Sequence, residues 1–149
     1  YTQQKSLETI AWSVKTDDFF PYSDLPHAFW TGYFTSRTAF KRFERVASSF
    51  LLAARQLDAK LGAADVNVLF DLEDALGISQ HHDAVSGTAK QHVADDYSKK
   101  LAHGMNVATS HTIRLVEFHV FNSTVSLTYC PLMNETVCKA SEVRPLLTA

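Results

Sequence analysis

The stretch Gln80-His81-His82-Asp83-Ala84-Val85-Ser86-Gly87-Thr88 places two imidazoles and a carboxylate in three consecutive positions, followed at once by small residues and a glycine. Imidazole nitrogen and carboxylate oxygen are the donors a zinc-type ion takes, and a catalytic zinc needs three protein ligands plus an open position. His81 and His82 are neighbours, so in any regular element their side chains diverge and only one comfortably joins a given metal. Beyond Asp83 the chain offers the distant Asp17, Asp18, Asp24 and His27, with none of the helical His spacing of metalloproteases. The stretch is therefore not a self-contained metal site. No glycine-rich phosphate loop, Gly-x-Ser-x-Gly elbow or Cys/His dyad signature accompanies it.

The elements that must position this stretch are helical. Phe40, Phe43, Val46, Ala47, Phe50, Leu51, Ala54, Leu57 and Leu61 recur every three or four residues, one apolar face of a long helix. Thr35 or Ser36 reads as its N-cap and Gly62 as its stop. A shorter helix is expected from Asp71 or Leu72 to the histidines, after a connector with some strand-like character at 66–70. Thr88-Ala89-Lys90-Gln91 fits a capping box, with Thr88 as N-cap and Gln91 reaching back to it. Val93, Tyr97, Leu101, Met105, Ala108, Thr112, Leu115 and His119 then hold a helical period, with His103 and His111 read as surface histidines. The three together form a compact bundle with short connections. Ile10–Val14 and Thr124–Cys130 alternate like strands, and the second reads as an exit towards a β-rich domain.

Composition sets the outer limits. The chain has 149 residues, 46% hydrophobic and 20% charged, enough to bury one core. A net charge of -2 gives no basic footprint, so nucleic acid is not expected as a partner. No apolar run approaches the roughly 18–20 residues that span a bilayer. The chain starts at Tyr1 without a signal peptide, and the expectation is a processed piece of a longer protein. Asn122-Ser123-Thr124 and Asn134-Glu135-Thr136 fit the N-glycosylation pattern. Cys130 and Cys138, the only cysteines, read as a local disulfide of the secretory route, against two buried free thiols.

Residues 15–34 are both acidic and aromatic. Carboxylates accept hydrogen bonds from sugar hydroxyls, and aromatic faces cover the apolar side of a pyranose ring. The alternative, which composition alone favours, is an aromatic satellite core with solvated aspartates.

Four stretches carry a resemblance. Lys15-Thr16-Asp17-Asp18-Phe19-Phe20-Pro21-Tyr22-Ser23-Asp24, Phe29-Trp30-Thr31-Gly32-Tyr33-Phe34-Thr35-Ser36-Arg37, Gln80 to Thr88, and Gln91-His92-Val93-Ala94-Asp95-Asp96-Tyr97 resemble the acidic α-mannosidases of lysosome and vacuole, glycoside hydrolase family 38. The Cys130–Cys138 segment resembles plant-like members. The resemblance covers nearly the whole chain. It implies a mainly α fold: a three-helix bundle flanked by the end of an α/β barrel-like catalytic domain and the start of a β-rich domain. The expected divisions are 1–34, 35–121 and 122–149.

The family's activity implies a retaining, zinc-dependent exo-α-mannosidase that removes terminal α-mannose from N-glycan-type oligosaccharides. His82 would be this chain's one ligand to a single Zn2+, with His81 in support and Asp83 on the sugar hydroxyls. Asp24 and Trp30 would shape a neighbouring sugar subsite, while Asp17 and Asp18 are structural or supporting candidates. The remaining ligands, the nucleophile and the acid/base lie upstream in the family. This chain alone would then be inactive, its partners being other chains of the same processed enzyme and the oligosaccharide, in lysosome, vacuole or outside the cell. A non-catalytic helical sugar-binding or interaction module is the competing class. One departure stands out: the family usually has proline after Thr-Ser-Arg, where this chain has Thr38, which should cost rigidity but no chemistry.

Overall fold

A computed structural model of the chain describes residues 6–7, 11–62, 67–131 and 136–142. The chain divides into two compact units, Tyr1–Thr31 and Gly32–Ala149. In the first, β1 (Ser23–Leu25) and β2 (Ala28–Phe29) form an antiparallel hairpin around Pro26 and His27, with Ser23 opposite Phe29 and Leu25 opposite Ala28. Trp30 N–H closes it on Tyr22 O at 2.7 Å. Phe19, Phe20, Tyr22 and Phe29 are all exposed, so the aromatics of this unit do not form a satellite core. The alternating residues 11–14 are not a strand, and Ile10 lies outside the described residues.

The second unit is helical. One turn, α1 (Gly32–Thr35), leads into α2 (Thr38–Leu61); α3 (Phe70–Ser79) and the long α4 (Gln91–Phe121) complete the bundle. Much of the stripe read from the sequence is the face α2 buries, although Val46 is exposed: Phe40, Ala47, Leu51 and Ala54 meet Leu72, Ala75 and Leu76 of α3 and Leu101, Met105 and Ala108 of α4 in one core. Each large side chain removed from water there stabilises by about 1.5–3 kcal/mol. Gly62 ends α2 in a left-handed conformation and donates to Asp58 O at 2.9 Å, as its position suggested.

The tightest approach in the bundle is between α3 and α4. A Cβ on Gly104 would lie 2.7 Å from Leu72 Cα and 2.8 Å from Asp71 O, so only glycine lets the two backbones touch. His111, read as a surface residue, is instead part-buried and hydrogen-bonds Asp58 across α2 and α4 at 2.7 Å. His103 is exposed, 3.4 Å from Asp71.

Three local expectations are corrected. Neither Thr35 nor Ser36 caps α2: the N-cap is Arg37, with no side-chain cap bond. Residues 67–69 form a turn, closed by Phe70 N–H on Asn67 O, not a strand. Residues 124–130 also form no strand, because they have other partners. Leu127 N–H is taken by the Glu117 carboxylate at 2.6 Å, and Tyr129 packs on Phe50 of α2 with ring centroids 5.7 Å apart. Cys130 and Cys138 are joined by a disulfide, their Cα atoms 5.9 Å apart, and a 3-10 turn, Lys139–Ser141, follows. Asn122 is the exposed left-handed C-cap of α4. Asn134 lies outside the described residues.

No described helix is long and apolar enough to cross a membrane.

Candidate metal and sugar site

The His-His-Asp stretch lies in the turn between α3 and α4. At the end of α3, His81 N–H still bonds Ile78 O at 3.0 Å. Ala84 N–H then bonds His81 O at 2.9 Å, Gly87 N–H bonds Ala84 O at 3.0 Å, and Ala89 N–H returns to Asp83 O at 3.0 Å. Gly87 has φ 87, and a Cβ there would sit 2.7 Å from both Ser36 Cβ and Ser36 O. Glycine is required twice over, for the left-handed backbone and for the close approach to the start of α2.

This tight turn overturns the expectation that the two histidines diverge. That holds in a helix or strand, but here the ring centroids lie 4.2 Å apart, with the planes tilted by 37°. Donor atoms of His81, His82 and Asp83 all lie within 4.8 Å of one another, and His82 Nε2 is 3.6 Å from Asp83 Oδ2. His81 Nδ1 accepts from Asp83 N–H at 3.2 Å, which places the proton of the neutral ring on Nε2. His82 presents an 80% exposed side chain.

The donor chemistry fits a zinc-type ion: imidazole nitrogen beside carboxylate oxygen. The three donors lie close enough together to approach one ion, and the exposed His82 side chain leaves room for further donors beside them.

Two hydroxyls orient the cluster, and the sequence pattern concealed one of them. Thr88 Oγ1 donates to Asp83 Oδ1 at 2.8 Å; buried Ser86 Oγ donates to His82 O. Each hydroxyl carries one proton, so with both committed the 3.1 Å approach of Ser86 Oγ to Thr88 Oγ1 is a packing contact. Thr88 is therefore not the cap of α4. That position is Lys90, without a side-chain cap bond, and Gln91 is turned away, its Nε2 donating to Asp95 Oδ1 at 2.8 Å. The capping-box pattern fails because the threonine is drawn to the carboxylate five residues before it.

In the hairpin unit, Asp24 and Trp30 come together: Trp30 Nε1 donates to Asp24 Oδ1 at 3.1 Å, and Tyr22 packs edge-on against the indole, 5.1 Å between centroids. Both residues are exposed. Asp17 pairs with Lys15 at 2.7 Å.

Residues 28–117 match the alpha mannosidase middle domain. The chain is 49% identical to a probable alpha-mannosidase of Arabidopsis thaliana, with 96% of this chain and 14% of that protein covered. It is 44% identical to the lysosomal alpha-mannosidase of Felis catus (95% and 15% covered). It is 43% identical to that of Homo sapiens (95% and 14% covered). The chain thus spans about one seventh of the length of these relatives.

Proposed function

Since this chain belongs to the alpha-mannosidase family through its middle domain, we propose that it is the part of a zinc-dependent glycoside hydrolase that brings one metal ligand, His82, and one sugar contact, Asp83, to the active site. The observation that carries this reading is the convergence of His82 and Asp83 donor atoms on an exposed turn in that middle domain. The substrate is terminal α-mannose on N-glycan-type oligosaccharides.

His82 would hold one Zn2+ together with donors from an upstream segment or a separate N-terminal chain. When bound, zinc supplies Lewis-acid polarisation and a template for adjacent sugar hydroxyls. Asp83, fixed by Thr88, accepts hydrogen bonds from the hydroxyls of the same mannose. The indole of Trp30 and the carboxylate of Asp24 suit a sugar ring, one offering an apolar face and the other acceptors. The nucleophile and the acid/base come from outside this chain and give the two steps that retain configuration. The chain by itself is inactive.

A lysosomal, vacuolar or secreted location is supported by the Cys130–Cys138 disulfide, the acceptor at Asn122 and the lysosomal relatives. The full-length protein should contain close to one zinc per active site and release mannose from an α-mannoside. His82→Ala should remove both while the helical circular dichroism persists. Full zinc occupancy in that variant would sink the assignment of His82, whereas a protein without zinc or mannosidase activity would favour a non-catalytic sugar-binding module.

A further inference from the structure

The turn that carries His82 and Asp83 is gripped from outside by residues at helical spacing along the start of α2. Arg37 Nε donates to Gly87 O at 3.2 Å, Nη2 to Ala89 O at 2.9 Å and Nη1 to Gln91 Oε1 at 2.8 Å. Lys41 Nζ donates to Val85 O and to Ser36 O, both at 2.6 Å. Buried Glu44 accepts from Gln80 Nε2 at 2.9 Å. The turn is thus held at residues 80, 85, 87, 89 and 91, on either side of the His-His-Asp triplet.

Two features separate this grip from an ordinary helix start. Arg37 holds φ 53, a left-handed conformation that disfavours residues other than glycine, asparagine and aspartate. Glycine, asparagine or aspartate would begin α2 with less strain; at Arg37 a strained backbone carries a side chain that makes three hydrogen bonds to the turn. Lys41 is part-buried, and desolvation lowers its ammonium pKa from the usual lysine value, yet it keeps two 2.6 Å hydrogen bonds, one of them to the turn.

We infer that Arg37 and Lys41 are positioning residues for the site: they fix the backbone from which His82 and Asp83 project. The inference rests on the metal and sugar reading of those two residues. The path is short. The planar fork of Arg37 pins the carbonyls of Gly87 and Ala89, which flank Thr88, and Thr88 holds Asp83 Oδ1. Lys41 pins Val85 O, midway between Asp83 and Gly87.

The test uses the full-length protein, p-nitrophenyl α-mannoside as substrate and zinc content as a second readout. Arg37→Gly relieves the backbone strain while removing the fork, so its thermal midpoint should stay near the parent's. Its kcat/KM or zinc affinity should fall about ten- to a hundredfold, as for loss of groups that orient metal ligands. Millimolar guanidinium should restore part of the activity, and Arg37→Lys should restore less than the parent fork gives. Lys41→Met keeps the stem and should show the same split between activity and stability.

Kinetics and zinc within twofold of the parent in both variants, with His82→Ala inactive, would overturn this inference and leave the site reading intact. Activity losses that track losses of thermal midpoint, without guanidinium rescue, would also overturn it. An active, zinc-loaded His82→Ala would overturn the site reading itself. If Arg37→Gly does not fold, Lys41→Met decides by the same criteria.

Discussion

Thr88 lies in the turn between α3 and α4, three residues before Gln91. Its spacing to Gln91 satisfies a capping box, and a capping role would make Thr88→Ala a loss of about 1 kcal/mol in stability. In the folded turn its hydroxyl is spent on Asp83 Oδ1 at 2.8 Å. Thr88→Ala should then leave stability nearly unchanged, since Thr88 is exposed and α4 begins at Gln91 without it. Catalysis should weaken, because an Asp83 carboxylate free to rotate loses about 1–2 kcal/mol of oriented hydrogen bonding. That corresponds to roughly five- to thirtyfold in kcat/KM for a mannoside. A variant that melts earlier and turns over normally would restore the cap. His82→Ala should be more severe than this if, as proposed, it removes a zinc ligand and not the group orienting a neighbour. The chemistry of the triplet was legible because imidazoles and carboxylates announce themselves by type. The role of Thr88 was not, because the same hydroxyl serves either partner and only the bend of the turn, set by Gly87, decides which one it reaches.

At the scale of elements, the long helices were legible and their contacts were not. The stripe on α2 shows which face is buried, but periodicity says nothing of how close the opposing helix comes. Gly104 and Gly77 illustrate this. Both are glycines within helices, and helix propensity alone would make alanine at either stabilising by about 0.5–1 kcal/mol. Gly77 has nothing within 4 Å of a Cβ, so Gly77→Ala should show that gain. At Gly104 the Cβ meets the backbone of α3 at 2.7–2.8 Å, which cannot rotate away. Gly104→Ala should therefore be destabilising, by about 1–3 kcal/mol of overpacking less the propensity gain. Opposite signs in urea titrations of the two variants would establish the close approach. Asp58 and His111 were likewise invisible as a pair, 53 residues apart yet 2.7 Å from each other. Their side chains are only 17% and 14% exposed, so Asp58→Ala should cost about 1–3 kcal/mol by leaving His111 without its partner. Replacing both by leucine should recover much of that, and a double-mutant cycle measures the coupling. The expected strand at 124–130 failed for a related reason: alternation marks a strand only where another strand offers a ladder, and here Glu117 takes the Leu127 N–H instead.

For the whole molecule, the question is whether a metal would hold the fold or only the substrate. In small zinc domains the ligands replace a core, and chelation unfolds them. This chain is built the other way. Leu51, Leu72, Leu76, Leu101 and Met105 close a core along three helices. Among the described residues the His81–His82–Asp83 cluster is the one candidate metal site, and it lies on an exposed turn outside that core. The turn is also tied down by protein groups alone, through Arg37, Lys41, Ser86 and Thr88. Chelation of the full-length protein should therefore abolish mannoside hydrolysis while leaving the helical circular dichroism in place. The thermal midpoint should fall only by the linkage expected of a ligand that binds the folded state, a decrement that grows with the zinc concentration removed. Readdition of zinc should restore activity without a refolding lag, because the backbone presenting His82 is already in position. Collapse of the helical signal on chelation, or recovery limited by refolding, would mean that the bundle depends on the ion and that the turn is ordered by zinc, not by its grip on α2.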